Sequence, residues 1–281
     1  MDGLHDPLVS TSWLEAQLGQ PGLRVVDARW YTPDLDRDAR REFHDAHIPG
    51  AVFFDIDDIA DHDTTLPHML PTGERFARQV GALGIAAGDR IAVYGARNLI
   101  ASARAWWMFR AFGHEAVFVL EGGFPRWKAE RRPVEPGARS PRPAEFRASL
   151  RPDLVADLER MRVNLQTSAH QVVDARSVGR FVGTAAEPRA GLRSGHIPGS
   201  HNLPYDRLFT DAGALLPVAG LRDVFRRAGV DLDRPVVTTC GSGVSACVLA
   251  LALYMLGRKD ASVYDGSWTE WGGRTDTPVE S

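Results

Sequence analysis

Val172-Val173-Asp174-Ala175-Arg176 is a short apolar run closed by an acid and a base, and the chain spells it twice, first as Val25-Val26-Asp27-Ala28-Arg29. A second shared word follows each copy: His47-Ile48-Pro49-Gly50 and His196-Ile197-Pro198-Gly199. A third block, Asp89-Arg90 to Trp127, aligns with Asp233-Arg234 to Trp271 at a constant offset of 144 residues. That offset lays Gly113 on Gly257, Gly122 on Gly266 and Trp127 on Trp271. Three matches in one order mean a duplicated domain. Copies of more than about 100 residues are too long for solenoid units.

Each copy alternates strand and helix signals. Val25-Val26 and Val172-Val173 read as buried strands. Phe76, Val80 and Leu83 share one helical face, as do Leu221, Val224, Phe225 and Ala228. Gly84 and Gly229 then sit where helices end. Ile91-Ala92-Val93-Tyr94 and Val117-Phe118-Val119-Leu120 continue the strands around a helix over 101–112. This pattern predicts an α/β fold: two tandem domains, each a parallel sheet flanked by helices on both faces. The expected boundaries are 7–132 and 151–278. Between them, Pro133, Pro136, Pro141 and Pro143 mark 133–150 as a stiff extended linker.

Bulk properties narrow the function classes. Hydrophobic content of 44% and charged content of 25% are ordinary for a globular protein of 281 residues. A net charge of −3 gives no reason to expect nucleic acid or anionic lipid as a partner. The longest apolar run, 246–256, is too short to span a bilayer. Residues 1–7 lack the pattern of a signal peptide. Two cysteines make no disulfide framework, which fits a reducing cytoplasm. Without a CxxC or paired histidines, no metal site and no cofactor are expected. A monomer is the default, because two domains can enclose a site by themselves.

One of the two cysteines opens Cys240-Gly241-Ser242-Gly243-Val244-Ser245-Ala246, between the apolar run 235–239 and a helix expected over 246–256. Gly241 and Gly243 let the backbone curl so that successive N–H groups converge. The helix adds the positive end of its dipole. Both effects favour the thiolate, the nucleophilic form. A cysteine before an apolar helix is commonly a packed small hydrophobe, and that reading suits Cys247. Two glycines so close together have no use in a core strand, so Cys240 is the candidate nucleophile. A cysteine phosphatase would need an arginine after five intervening residues to grip phosphate. Ala246 stands there, and the loop has no Lys or Arg.

The repeat also acts as a filter: residues in both copies serve the fold, and residues in one copy are candidates for chemistry. Asp27/Asp174 and His47/His196 are shared, hence structural. Opposite Cys240 the first copy has Ala96, followed by Arg97-Asn98-Leu99. Only the second domain can be a thiol catalyst; the first is a scaffold that helps to wall the site.

Two such domains, with the cysteine loop only in the second, resemble the rhodanese-like sulfurtransferases. The loop is similar to that of the 3-mercaptopyruvate branch; the thiosulfate branch typically carries Arg-Lys where Gly241-Ser242 stand. Phe53–Asp57, His68–Pro71, Trp106–His114 and Asp265–Trp271 extend the resemblance over nearly the whole chain. It implies that the Cys240 thiolate takes the sulfur of 3-mercaptopyruvate as a persulfide, releasing pyruvate. A thiol acceptor (a small dithiol or thioredoxin) or cyanide then removes the sulfur. The resemblance assigns protonation of the leaving group to a relay of Ser242, His68 and Asp57. It places Arg180 and Arg189 on the substrate carboxylate and carbonyl, with Gly241, Gly243, Val244 and Ser245 lining the substrate site. His68 and Arg180 have no counterpart in the other copy, whereas Asp57 is matched by Asp206 and Arg189 by Arg40. A structural ion pair is therefore an alternative for Arg189. Ser245 keeps the hydroxyl of the threonine expected there, and Ile100 stands where relatives carry an aromatic. Two other readings stay open: a thiosulfate:cyanide sulfurtransferase, and a non-catalytic sulfur carrier loaded by a partner enzyme.

Overall fold

The computed structural model of the chain describes residues 6–32, 34–96, 99–138 and 140–281. Arg97 and Asn98, read above as part of the silent loop, lie outside the described residues. The chain divides into two units, Met1–Asp61 with Leu70–Arg151, and His62–Met69 with Pro152–Ser281.

The first unit runs β1 (Leu8–Val9), α1 (Thr11–Gln17), β2 (Leu23–Asp27), α2 (Ala39–Asp45), β3 (Val52–Phe53), α3 (Gly73–Ala82), β4 (Arg90–Tyr94), α4 (Ile100–Ala111), β5 (Val117–Leu120) and α5 (Gly123–Ala129). The second repeats it: β6 (Val155–Ala156), α6 (Leu158–Thr167), β7 (Gln171–Asp174), α7 (Val178–Phe181), β8 (His201–Asn202), α8 (Val218–Arg227), β9 (Val236–Thr239), α9 (Ala246–Met255), β10 (Ser262–Tyr264) and α10 (Ser267–Trp271). Each sheet has five strands, ordered β1-β5-β4-β2-β3 and β6-β10-β9-β7-β8. Every pairing is parallel. The α/β reading of two tandem sheets is what the structure has.

Helices on both faces bury these sheets, which explains why the central strands are continuous apolar runs. Phe76 and Val80 anchor α3, and Leu221 and Phe225 anchor α8. Leu83, Val224 and Ala228, expected on the same faces, are half-buried at the rim. The helices α4 and α9, which follow the two central strands, are buried almost all round. Among the described residues no helix is long and apolar enough to cross a membrane.

The residues shared by both copies are built into the fold in the same way. Arg29 clasps Asp27 through Nε at 2.9–3.0 Å, and Arg176 clasps Asp174 at 2.9–3.1 Å, all four side chains being buried. His47 stacks on Phe43 with its Nδ1 2.8 Å from that residue's carbonyl; His196 does the same on Phe181 at 2.9 Å. Glu135 and Glu280 close the two Ile-Pro-Gly turns, each accepting from the turn glycine (Gly50 and Gly199).

Two features differ from the sequence expectation. Val25 pairs with Ala92, whereas Val172 pairs with Val237. Ala92 and Val237 stand one residue farther apart than Gly113 and Gly257, so the repeat is not gapless. The stretch from Thr239 to Gly257 is one residue shorter than that from Tyr94 to Gly113. The counterpart of Cys240 is therefore Gly95 rather than Ala96: Gly95 O accepts from Phe124 N at 2.9 Å and Cys240 O from Trp268 N at 3.0 Å. The coincident Asp-Arg pairs had pulled the strands one residue out of register. The first copy still presents no thiol.

The other difference concerns 133–150. Its described residues form no helix and are strapped to the first unit. Ala144 N donates to Gly81 O, Ala87 N to Glu145 O, and Ser149 N to Phe112 O, at 2.9–3.0 Å. Phe146 joins an aromatic cluster with Phe76 and Phe109. Gly81 permits this approach, because a Cβ there would lie 2.5 Å from Ala144 O.

Candidate active site

Cys240 follows directly on β9, at the carboxyl end of the sheet where ligands bind in open α/β folds. It is 2% exposed, and Gly241, Ser242, Gly243 and Val244 beside it are buried, with Ser245 half-buried at the helix start. Gly243 turns the chain with φ at +76°, a conformation that favours glycine. The helix α9 starts at Ala246 and points its N-terminus into this turn. Cys247 is buried one turn in, its thiol 3.2 Å from Gly243 O. It packs and braces the turn.

The outer side of the loop is held by the start of α10. Cys240 N–H donates to Ser267 Oγ at 3.2 Å, and that hydroxyl donates to Tyr264 O at 2.8 Å. Trp268 N–H takes Cys240 O, and Thr269 N–H takes Gly241 O at 2.8 Å. Trp268 is itself stacked under the Arg176 guanidinium at 4.3 Å, so the Asp174–Arg176 pair supports the loop at one remove.

Arg180, on α7, lies against Gly241: a Cβ built on that glycine would stand 2.9 Å from Arg180 Nη2. Glu187 clasps the guanidinium through Nε at 3.1 Å and through that same Nη2 at 2.6 Å. Glu187 also takes Arg176 Nη1 at 2.8 Å, completing a chain Asp174–Arg176–Glu187–Arg180 of alternating sign. Arg189 reaches His68 Nε2 with Nη2 at 3.4 Å. His68 is 9% exposed, has a left-handed backbone (φ +62°), and falls by packing in the second unit. Arg40, the repeat counterpart of Arg189, instead holds Asp55 and Asp58 in ion pairs. The two positions have diverged in partner.

Thus the loop residues and Arg180 come together, and Arg189 meets His68. Asp57 is in the first unit, exposed, accepting from Trp30 Nε1 at 2.8 Å. The anchoring Glu187 and the α10 residues Ser267 and Thr269 escaped the sequence reading. At the 144-residue offset Ser267 falls on Gly123 and Thr269 on Pro125, so the repeat filter could have found both.

Comparison with known proteins places this geometry. The rhodanese-like domain matches twice, over residues 10–130 and 157–274. The chain belongs to the rhodanese-like family. Among its curated relatives, human 3-mercaptopyruvate sulfurtransferase is 46% identical over 94% of this chain and 91% of its own length. Thiosulfate sulfurtransferase of Cricetulus griseus is also 46% identical, over 95% and 92%. Among solved structures, the 3-mercaptopyruvate sulfurtransferase SseA of Escherichia coli superposes with a TM-score of 0.86 at 38% identity, covering 94% of this chain and 99% of that one. Rhodanese-like enzymes named for either donor are equally similar here. Overall identity does not choose between them; the site must.

Proposed function

We propose that this rhodanese-like sulfurtransferase takes sulfur from 3-mercaptopyruvate. One observation carries the reading: the cation beside the nucleophile is Arg180 lying over Gly241, and Glu187 already neutralises it. The chain Asp174–Arg176–Glu187–Arg180 sums to zero charge. A thiosulfate dianion brought to a thiolate would face repulsion of about 1 kcal/mol per charge pair at ~4 Å even in water-like surroundings. A cationic side chain at position 241 would meet the Arg180 guanidinium at its first carbon. The mercaptopyruvate monoanion needs only one donor pair for its carboxylate, which Arg180 can supply from the edge Glu187 leaves open. Arg189 is assigned the carbonyl.

The Cys240 thiolate attacks the donor's one sulfur. A sulfur–sulfur bond forms, the carbon–sulfur bond breaks, and its electron pair leaves on the pyruvate enolate. A proton delivered to that carbon completes pyruvate, a task for Ser242 and His68. His68 accepts from Arg189 at Nε2, which puts its own proton on Nδ1. The backbone N–H groups of Gly241, Gly243, Val244 and Ser245 then cradle the persulfide. A thiol (thioredoxin or a small dithiol) or cyanide takes the outer sulfur. We also take the protein to be a cytoplasmic monomer.

Incubation of the pure protein with 3-mercaptopyruvate tests this. Stoichiometric pyruvate is expected, with one extra sulfur on Cys240 by mass spectrometry. Neither product would favour the non-catalytic carrier instead.

A further inference from the structure

The start of α10 carries a residue whose chemistry the second unit alone possesses. Gly241 O accepts two hydrogen bonds from Thr269, one from the backbone N–H at 2.8 Å and one from Oγ1 at 2.5 Å. In the first unit the same position of α5 is Pro125, which has neither an N–H nor a hydroxyl. The neighbouring contact is kept, because Phe124 N–H still takes Gly95 O as Trp268 N–H takes Cys240 O. So the two units share the first tie between last helix and loop, and differ in the second. The second tie exists only where a thiol has to be served.

We propose that Thr269 is a positioning residue for sulfur transfer, fixing the Gly241–Ser242 peptide so that its N–H faces the Cys240 sulfur. A trans peptide directs C=O and N–H to opposite sides. Turning Gly241 O onto Thr269 therefore turns Ser242 N–H away from α10. Two donors on one carbonyl hold the plane against rotation, which one would leave free to rock. This is preorganisation of a backbone dipole at the site of developing charge. The neighbouring Ser267 adds to the case: it holds a left-handed backbone (φ +48°) where the first copy has Gly123, and its hydroxyl takes Cys240 N–H. Strain of that kind persists where surrounding bonds over-determine it, as at functional sites. The inference rests on Cys240 as nucleophile, not on the identity of the donor.

The test uses three variants of the full chain. Thr269→Val removes the hydroxyl at constant shape; kcat with 3-mercaptopyruvate should fall about tenfold with KM within about twofold, the loss of one well-placed hydrogen bond. Thr269→Ser restores the hydroxyl and should recover most of kcat. Thr269→Pro copies Pro125, which α5 already accommodates, removes both ties, and should cost roughly a hundredfold. Alkylation of Cys240 by iodoacetamide, which needs no donor, should slow in Val and Pro and recover in Ser. Unchanged kcat and alkylation in Thr269→Val would overturn the proposal, as would a Ser variant no better than Val. If wild type fails to turn over 3-mercaptopyruvate, the donor reading falls while alkylation still decides the role of Thr269.

Discussion

Cys240→Ser is expected to abolish pyruvate release and sulfur acquisition, whereas Cys247→Ser should keep most of both. A serine hydroxyl stays protonated at neutral pH and cannot hold sulfur as a persulfide, so nothing in the loop compensates for the lost thiol. Cys247 offers its thiol to Gly243 O at 3.2 Å from a buried position one turn into α9. A serine there can make the same bond, and the change costs on the order of 1 kcal/mol of stability. Pyruvate assay and intact mass, run on both variants, separate the two cysteines. Equal loss in both would mean that the loop, not the thiol, had been damaged.

The second large effect is on stability. Arg176→Ala should destabilise the protein by about 3–5 kcal/mol, because it strands Asp174 in the interior and removes one partner from Glu187. The Arg176 and Asp174 side chains are each 1% exposed, so solvent does not screen the pair. The guanidinium also stacks on Trp268, whose N–H secures Cys240 O. Arg29→Ala should cost about as much by the same rule, since Arg29 clasps Asp27 and stacks on Phe124 at 4.4 Å. Calorimetry should record Tm lowered by roughly 6–20 °C in each, at about 2–4 °C per kcal/mol for a chain of this size class. A wild-type Tm for both would contradict the structural role given to these shared pairs.

That role was legible because duplication supplies its own comparison. Asp27 and Asp174, or His47 and His196, have tempting residue types, yet occurrence in both copies marks them as framework, and their contacts bear this out. The cysteine loop was legible from its glycines. The register of β4 against β9 was not, because a chance Asp-Arg identity outweighed a one-residue difference that only strand pairing displays. The prolines of 133–150 do not reveal what that stretch lies on; Phe146 among Phe76 and Phe109 decides that. The anchoring of Arg180 depends on a carboxylate shared with Arg176, which spacing along the chain cannot express. Thr269 was within reach of the repeat filter, against Pro125.

The central claim is the donor, and the measurement that bears on it most directly is kcat/KM for 3-mercaptopyruvate and for thiosulfate on one preparation with one acceptor. The neutral cluster around Arg180 and Gly241 predicts the higher value with 3-mercaptopyruvate; a higher value with thiosulfate would contradict it.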